Sequence, residues 1–262
     1  MSYRKTTLAA LCVSAIALSA CSSGQAISPI FAGDAPITSA DYVGKTFPID
    51  YIALNSETEQ VTRNTGTIRF ISETEIEIDV DGINEIVVEV ADGEFLGPTI
   101  DASTLIFSPA ATGVEAFTTG SNYYGIVGFE TRVADIPTED LFFYDTTGGS
   151  VLLAADGNVS VVHIGATYLD VNFATGTVSG VLHDSDFGIF SITDGQISGN
   201  GITGGISASD AFGVIPITRS DVDGTFYGND AGVLAGTFEG TAEFEVDVDF
   251  VGVFTGIKSA PL

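Results

Sequence analysis

The stretch GTFYGNDAGVLAGTFEG, residues 224–240, carries a glycine at every fourth position. A unit of the form Gly-x-Phe-x-Gly occurs three times near the C-terminus, centred on Phe226, Phe238 and Phe254. Residues two apart on a strand point to the same face, so each unit places one large ring between two positions without a side chain. Glycine permits strong coiling of a strand, and a neighbouring aromatic ring can cover the bare backbone. The pattern therefore predicts a tightly curved, closed sheet.

Two membrane structures compete with this interpretation. A GxxxG helix interface has the same period, but Asp223, Asp230 and Glu239 lie in or beside the stretch, and glycine is a poor helix former. A transmembrane β-barrel needs strands of about nine to eleven residues with an apolar outer face. Here the turn signals come sooner, and no aromatic terminal strand closes the chain. We therefore expect a water-soluble barrel.

Short runs rich in Val, Ile, Thr, Phe and Tyr, separated by Gly, Asn and Asp, dominate the chain from Lys45 onward. In EIEIDVDG, residues 75–82, aliphatic residues alternate with acidic ones, which indicates a hairpin with one wet face. The chain is therefore predicted to be all-β. Because Asp-Gly and Asn-Gly pairs favour tight turns, we expect turns at residues 81–82, 92–93, 156–157, 194–195, 200–201 and 223–224.

The glycine content changes along the chain, since 20 of the 31 glycines lie in residues 135–262. Pro137, in the segment VADIP, suits a linker or the start of a strand. We place a domain boundary there. The first predicted domain is the β-rich part at residues 41–134, and the second is the glycine-rich part at residues 135–262.

The N-terminus resembles the signal peptide of bacterial lipoproteins. Arg4 and Lys5 precede an apolar run too short to span a bilayer, and the run ends in the lipobox-like sequence LSAC. In that family the cysteine, here Cys21, becomes the first mature residue and carries a diacylglycerol. The alternative is an ordinary secreted protein with a chance cysteine.

On the lipoprotein interpretation, residues 1–20 are a signal peptide that is removed, and acylated Cys21 anchors the chain. Residues 21–40 are small, polar and proline-containing, which is typical of a flexible tether. Ser22 stands where an aspartate often retains lipoproteins in the inner membrane, so the outer membrane is the expected location.

Acidic residues outnumber basic ones by 35 to 8, which gives a formal net charge of −27. Such a surface repels nucleic acids and anionic lipid headgroups, so no nucleic-acid partner is expected. The acids are spread along the chain, which favours solubility as their role over a cation or a basic partner. Because Cys12 lies in the predicted signal peptide, the mature chain has one cysteine and can form neither an internal disulfide nor a cysteine-based zinc site.

The stretch at residues 224–240 resembles the GxFYGPxAxExGGxF signature of the β-barrel domains of transferrin-binding protein B. It departs from the signature at Asn229, Val233 and Ala235. Four shorter stretches are similar to the same barrel: ADIPTEDLFFY, DVNFATGTVSGVL, ISGNGITGG and GVFTGIK. Together they cover residues 123–262. The residues that match the signature are Gly224, Phe226, Tyr227, Gly228, Ala231, Gly236 and Phe238.

The resemblance implies an eight-stranded antiparallel barrel that follows a smaller β-rich handle domain. Residues 41–134 have the right size and class to be such a handle. The resemblance also implies a surface lipoprotein of Gram-negative bacteria active in iron capture, and relatives with one handle and one barrel include haem-binding secreted proteins. This chain corresponds to one such lobe, and no transferrin-contacting residue is carried over to it.

His163 and His183 are the two histidines, and either one could ligate a haem iron. Haem is therefore the one cofactor that the sequence suggests. The alternatives are structural: His163 shares strand parity with Val159 and Val161, which would point it into the barrel as a satisfied neutral imidazole. His183 precedes two aspartates, which would place it at a strand end in water.

No other site chemistry emerges from the sequence. Residues 79–85 and 220–224 are rich in oxygen ligands but lack the EF-hand spacing, so we expect hairpin turns there and no metal site. No serine-hydrolase, P-loop, zinc-protease or dinucleotide motif is present, so the chain is not expected to be an enzyme.

The expected function is that of a non-catalytic, lipid-anchored surface binding protein of the outer membrane. It would capture haem or an iron-carrying ligand through loops of its barrel. The alternative is an envelope or adhesion lipoprotein that engages another protein and has no small-molecule ligand.

Overall fold

The computed structural model describes residues 39–55, 58, 60–72, 76–79, 96–100, 103–106, 114–119, 123–155, 160–243 and 246–259. The predicted signal peptide, Cys21 and the tether as far as residue 38 lie outside the described residues. So do the Asp-Gly pairs at 81–82, 92–93 and 156–157. None of the helices in the described part is long and apolar enough to cross a membrane.

The first part of the chain forms a small antiparallel sheet, which confirms the expected β-rich handle-like domain. Five of its strands follow the spatial order β3-β2-β1-β7-β6, and β4 pairs with β5 in a separate ribbon. A one-turn helix precedes them and occupies the last two residues of the predicted tether. The elements are α1 (Ser39–Tyr42), β1 (Thr46–Asn55), β2 (Gln60–Phe70), β3 (Ile76–Asp79), β4 (Leu96–Ile100), β5 (Ser103–Ile106), β6 (Val114–Thr119) and β7 (Tyr123–Gly128).

Four aromatic rings form the core beneath this sheet. Tyr42, Phe47, Phe70 and Phe129 are each fully buried. The Tyr42 ring centroid lies 4.7 Å from that of Phe129 and 4.9 Å from that of Phe70, in tilted and edge-on arrangements. Such contacts contribute about 0.5–1.5 kcal/mol per pair beyond the buried area. The helix α1 is therefore held to the sheet by the ring of its last residue.

The second part is an eight-stranded antiparallel barrel, as predicted. Apart from the short strand β13, each strand pairs with the next strand in sequence, and β16 pairs with β8, which closes the sheet. The short strand β13 pairs with β12 alone and is separated from β14 by Pro216. The strands are β8 (Leu141–Ala155), β9 (Ser160–Asn172), β10 (Thr177–Ser185), β11 (Gly188–Ser198), β12 (Gly201–Asp210), β13 (Gly213–Ile215), β14 (Ile217–Tyr227), β15 (Val233–Glu243) and β16 (Asp247–Lys258).

The rings of the glycine-rich units fill the barrel. Phe226, Phe238 and Phe254 are fully buried in its core, as predicted. The rings of Phe238 and Phe254 cover glycines on neighbouring strands rather than on their own. Phe238 lies opposite Gly252, and a Cβ atom at Gly252 would overlap with the Phe238 ring.

A second ring, that of Phe254, extends over glycines on two neighbouring strands. Phe254 lies opposite Gly236, which in turn lies opposite Gly224 on the next strand. The Phe254 ring crosses Gly236, and its Cζ atom lies 3.0 Å from where a Cβ of Gly224 would be. The absence of side chains at these two glycines therefore leaves room for one ring.

Two of the predicted turns are wrong. Asp223-Gly224 lies inside β14, where the absent side chain makes room for Phe254. The same strand contains residues 220–224, which were also expected to form a turn. Asp194-Gly195 lies inside β11 at a β-bulge, where Asp194 adopts a φ of 53°. The pair at 200–201 does sit at the β11–β12 turn, as predicted.

The handle-like domain packs on the outer wall of the barrel. Ile52 and Ile126 of its sheet contact a cluster of outward-facing barrel residues: Leu153, Val233, Ala235, Val251 and Val253. An ion pair at the edge of this contact joins Arg63 of β2 to Asp223 of β14, with 2.8 Å between Nη2 and Oδ2. Because Arg63 is largely shielded, this pair is stronger than a fully exposed one.

The connection between the two domains is itself paired with the barrel. The backbone N–H of Thr131 donates to the carbonyl of Phe226, and the N–H of Gly228 donates to the carbonyl of Phe129. The Thr131 hydroxyl also donates to the carbonyl of Gly228, 2.8 Å away. The predicted domain boundary near residue 135 lies between these hydrogen bonds and β8.

Candidate binding surface at one end of the barrel

The barrel interior is packed with side chains. Phe190 and Phe250 have ring centroids 5.0 Å apart, and Phe238 lies 6.4 Å from each of them. Leu182 and Val222 fill the space beside these rings and are fully buried. A small barrel packed in this way binds its partners at the strand ends or on its outer wall.

Both histidines lie at the same end of the barrel. This end is formed by the connections β8–β9, β10–β11, β12–β13 and β15–β16, and we call it the histidine end. His163 is near the start of β9, and His183 is near the end of β10. The structure therefore brings together two residues that are twenty positions apart in the sequence.

His183 is fully buried, so the expectation that it lies in water is wrong. The reason is a β-bulge. The register of β10 against β11 shifts between Val181 and His183, and both Leu182 and His183 consequently point into the core. A regular alternation would have turned His183 outward, because Leu182 already faces inward.

Two serines bind the ring of His183. The Oγ of Ser150 lies 2.7 Å from Nδ1, and the Oγ of Ser185 lies 2.9 Å from Nε2. A neutral imidazole donates from one nitrogen and accepts at the other, and two hydroxyls can serve both roles. Ser185 also accepts the backbone N–H of Phe187 at 3.2 Å. The buried ring is thereby connected to the β10–β11 loop.

His163 points inward, as its strand parity predicted, and packs against Phe187 in a tilted arrangement with 4.7 Å between ring centroids. Phe187 in turn lies parallel to Phe190 of the core. The prediction of a satisfied imidazole is wrong, because the Nε2 of His163 is buried without a hydrogen-bond partner in the described part of the chain. Within the described residues, no group at this end of the barrel forms a hydrogen bond with this nitrogen.

Burial shifts the acid–base behaviour of both rings. Desolvation, together with charge repulsion from the neighbouring His163, lowers the pKa of His183 to about 4. The pKa of His163 is also lowered by burial, although the carboxylate of Asp186 opposes that effect. Both histidines are therefore neutral at neutral pH.

The β12–β13 hairpin at the same end is a feature that sequence reasoning missed. Phe212 at its tip is 97% exposed, and Val214 is 83% exposed. The signal in the sequence is the apolar run AFGVIP at residues 211–216, which interrupts otherwise polar connections. This end of the barrel therefore combines an exposed aromatic tip with a buried histidine pair.

A cleft of about 260 Å³ lies between β2 and the barrel wall. Arg63 and Arg219 line it together with Glu239 and Asp249. Each arginine is already paired with a carboxylate, Arg63 with Asp223 and Arg219 with Glu239. Within the described residues, no group of three or more histidine, cysteine, aspartate or glutamate side chains is arranged to hold a metal ion.

Residues 140–258 match the sequence profile of a family described as the C-lobe and N-lobe beta barrels of Tf-binding protein B. The chain has a transferrin-binding protein B-like fold. The matched family consists of binding proteins without enzymatic activity, in agreement with the expectation that the chain is not an enzyme. No curated protein sequence matches the chain at a significant level.

Solved structures of transferrin-binding protein B share this fold. A single-substitution variant from Haemophilus parasuis Hp5 superimposes with a TM-score of 0.56 at 21% identity, over 81% of this chain and 45% of that one. Intact Ap-TbpB, with N and C lobes, gives a TM-score of 0.53 at 19% identity, over 82% of this chain and 46% of that one. The chain thus spans less than half the length of these transferrin-binding proteins.

The burial of His183 predicts a pH-dependent stability. Below pH about 6.5 the unfolded chain takes up a proton on this residue, whereas the folded protein resists protonation until pH about 4. Acidification across this window should therefore remove up to about 3 kcal/mol of stability. Urea unfolding of wild type and His183→Gln at pH 7.5 and 4.5 should show the stability advantage of wild type shrinking at the lower pH.

His163→Gln is the matched control for this measurement. It should change the pH dependence less, because His163 is only half-buried and Asp186 favours its charged form. A stability difference between wild type and His183→Gln that is the same at both pH values would contradict the assignment.

Proposed function

We propose that this chain is a lipid-anchored surface protein of the outer membrane that binds a protein ligand without catalysis. An iron-carrying protein of the transferrin type is the first ligand to test. The observation that carries the proposal is the match of residues 140–258 to the barrels of transferrin-binding protein B. The lipobox-like sequence LSAC, which ends at Cys21, supports the anchor.

The packing of the barrel supports a protein as the ligand. Its interior is occupied by the rings of Phe190, Phe226, Phe238, Phe250 and Phe254, so contact with a ligand falls to the outer surface. The histidine end presents exposed apolar side chains, which in monomeric proteins mark interaction sites when they cluster. An exposed apolar surface suits a macromolecule better than a small molecule, which binds in a concave pocket.

The anchor and the surface location can be tested together. Cells expressing the wild-type chain should incorporate labelled palmitate into it, and the Cys21→Ala variant should remain unlabelled. Protease added to intact cells should digest the wild-type protein, and its amount should rise under iron limitation. A labelled protein that resists the protease until cells are lysed would contradict the surface location.

Immobilised transferrin, with and without iron, then tests the ligand. Retention of the purified chain would support the iron-carrier proposal. The other informative result is a chain that is exposed on the surface, fails to bind transferrin and is recovered with an envelope protein. That result would favour the alternative, an envelope or adhesion lipoprotein without a small-molecule ligand.

Haem capture is a second candidate, and one observation favours it. The Nε2 of His163 has no hydrogen-bond partner within the described residues and lies at the barrel end, where a ligand could approach. Both nitrogens of His183 are already bonded to serines, so His183 is the poorer ligand of the two. Phe187, which packs against His163, would have to move for a haem iron to reach the nitrogen.

Titration of the purified chain with haemin tests this candidate. If His163 ligates the iron, wild type and His183→Ala should both shift the Soret band, and His163→Ala should lose the shift. The two alanine variants serve as controls for each other. The absence of a shift in wild type, or its loss in His183→Ala alone, would contradict ligation by His163.

A further inference from the structure

The β12–β13 hairpin carries an unusual concentration of exposed apolar surface. Phe212 is the most exposed aromatic side chain among the described residues. Val214 lies opposite Ser209, which lies opposite Ile189 of β11, so these side chains form one row on the outer barrel wall. Val214 and Ile189 are both exposed. Phe212 stands at the tip of the hairpin, two residues before Val214.

The hairpin is held in a fixed conformation. The carboxylate of Asp210 accepts the backbone N–H groups of Phe212 at 2.8 Å and Gly213 at 3.0 Å. At its base, Ala208 and Ile215 are buried in the barrel core. An anchor residue on such a support loses little conformational entropy when it binds, which is the property of the residues that dominate interface energies.

The two segments that carry the row contain only negative charges. The segments DSDFGI, residues 184–189, and SDAFGVIP, residues 209–216, contain three aspartates and no lysine or arginine. Asp184 is exposed and lies directly opposite Ile189, so it extends the row with a carboxylate. A partner that covers the apolar residues also comes close to these carboxylates. Complementarity therefore requires lysine or arginine side chains around its apolar pocket.

We propose that Phe212 is the anchor of a docking surface for a protein with an apolar pocket bordered by lysine and arginine side chains. The inference rests on the proposed function, since it names the part of the chain that contacts the protein ligand. An anionic membrane and a second copy of this chain fit less well, because both bring further negative charge to the same row.

Site-specific photo-cross-linking in intact cells tests the proposal. The cross-linking amino acid p-benzoylphenylalanine replaces Phe212 in the full chain. In a matched control it replaces Ile164, an apolar residue of β9 that is also largely exposed. A third chain combines the cross-linker at position 212 with Asp184→Lys and Asp186→Lys. Mass spectrometry identifies each adduct and the cross-linked peptide.

The expected result is a protein adduct at position 212 but not at 164, on a peptide next to lysine or arginine residues. Charge reversal should lower its yield several-fold. Phe212→Ser should weaken binding of the purified partner at least about tenfold, whereas Ile164→Ser should leave it unchanged. Phe212 has almost no contact with the fold, so its replacement should leave thermal stability unaltered.

Three results would overturn the proposal: equal yields at 212 and 164, an adduct to lipid or to a second copy of the chain, or a yield indifferent to the charge reversal. These outcomes are distinct from failure of the proposed function. A protease-accessible chain without an adduct at 212 keeps its surface location and loses this docking site. A periplasmic chain with the adduct keeps the docking site and loses the surface location.

Discussion

The barrel depends on contacts between phenylalanine rings and glycines of the neighbouring strands. An eight-stranded barrel has an interior just wide enough for its own side chains, so a large residue on one strand requires a small one beside it. Phe238 faces Gly252, and Phe254 crosses Gly236 to reach Gly224. Each buried ring contributes about 1.5–3 kcal/mol of hydrophobic stabilisation. The glycines reduce strand stability locally, but the rings that cover them restore the packing density of the interior.

This constraint explains how much of the fold the sequence predicts. The Gly-x-Phe-x-Gly spacing is a local signal, and a closed sheet follows from it together with the strand pattern. The burial of His183 does not follow, because it depends on a β-bulge after Val181. A bulge is defined by the register between two paired strands, and the sequence of one strand does not determine that register. The pair Asp223-Gly224 misleads for a related reason, since its glycine serves the ring of Phe254 rather than a turn.

The outer surface was the least predictable part of the candidate site. Val251 and Val253 on β16 and Val214 on β13 all belong to the outer face of the barrel wall. The handle-like domain covers the first two, whereas Val214 stays exposed. An outward-facing valine occurs in both places, and the packing of one domain on the other distinguishes the buried structural surface from the candidate binding surface. The filled interior and this uncovered row together direct the proposed function to the outside of the barrel.

A double-mutant cycle between Gly252 and Phe238 tests the central claim most directly. Gly252→Ala places a methyl group inside the Phe238 ring and should cost about 1–3 kcal/mol of unfolding free energy, since the surrounding rings restrict its movement. Phe238→Leu removes part of the ring, so the double variant should lose less than the two single losses combined, by about 1 kcal/mol or more. Gly252→Ala with Phe226→Leu is the control and should be additive, because the nearest atoms to a Cβ at Gly252 all belong to Phe238. Additive losses in both cycles would contradict the account, since the ring of Phe238 would then not lie over Gly252.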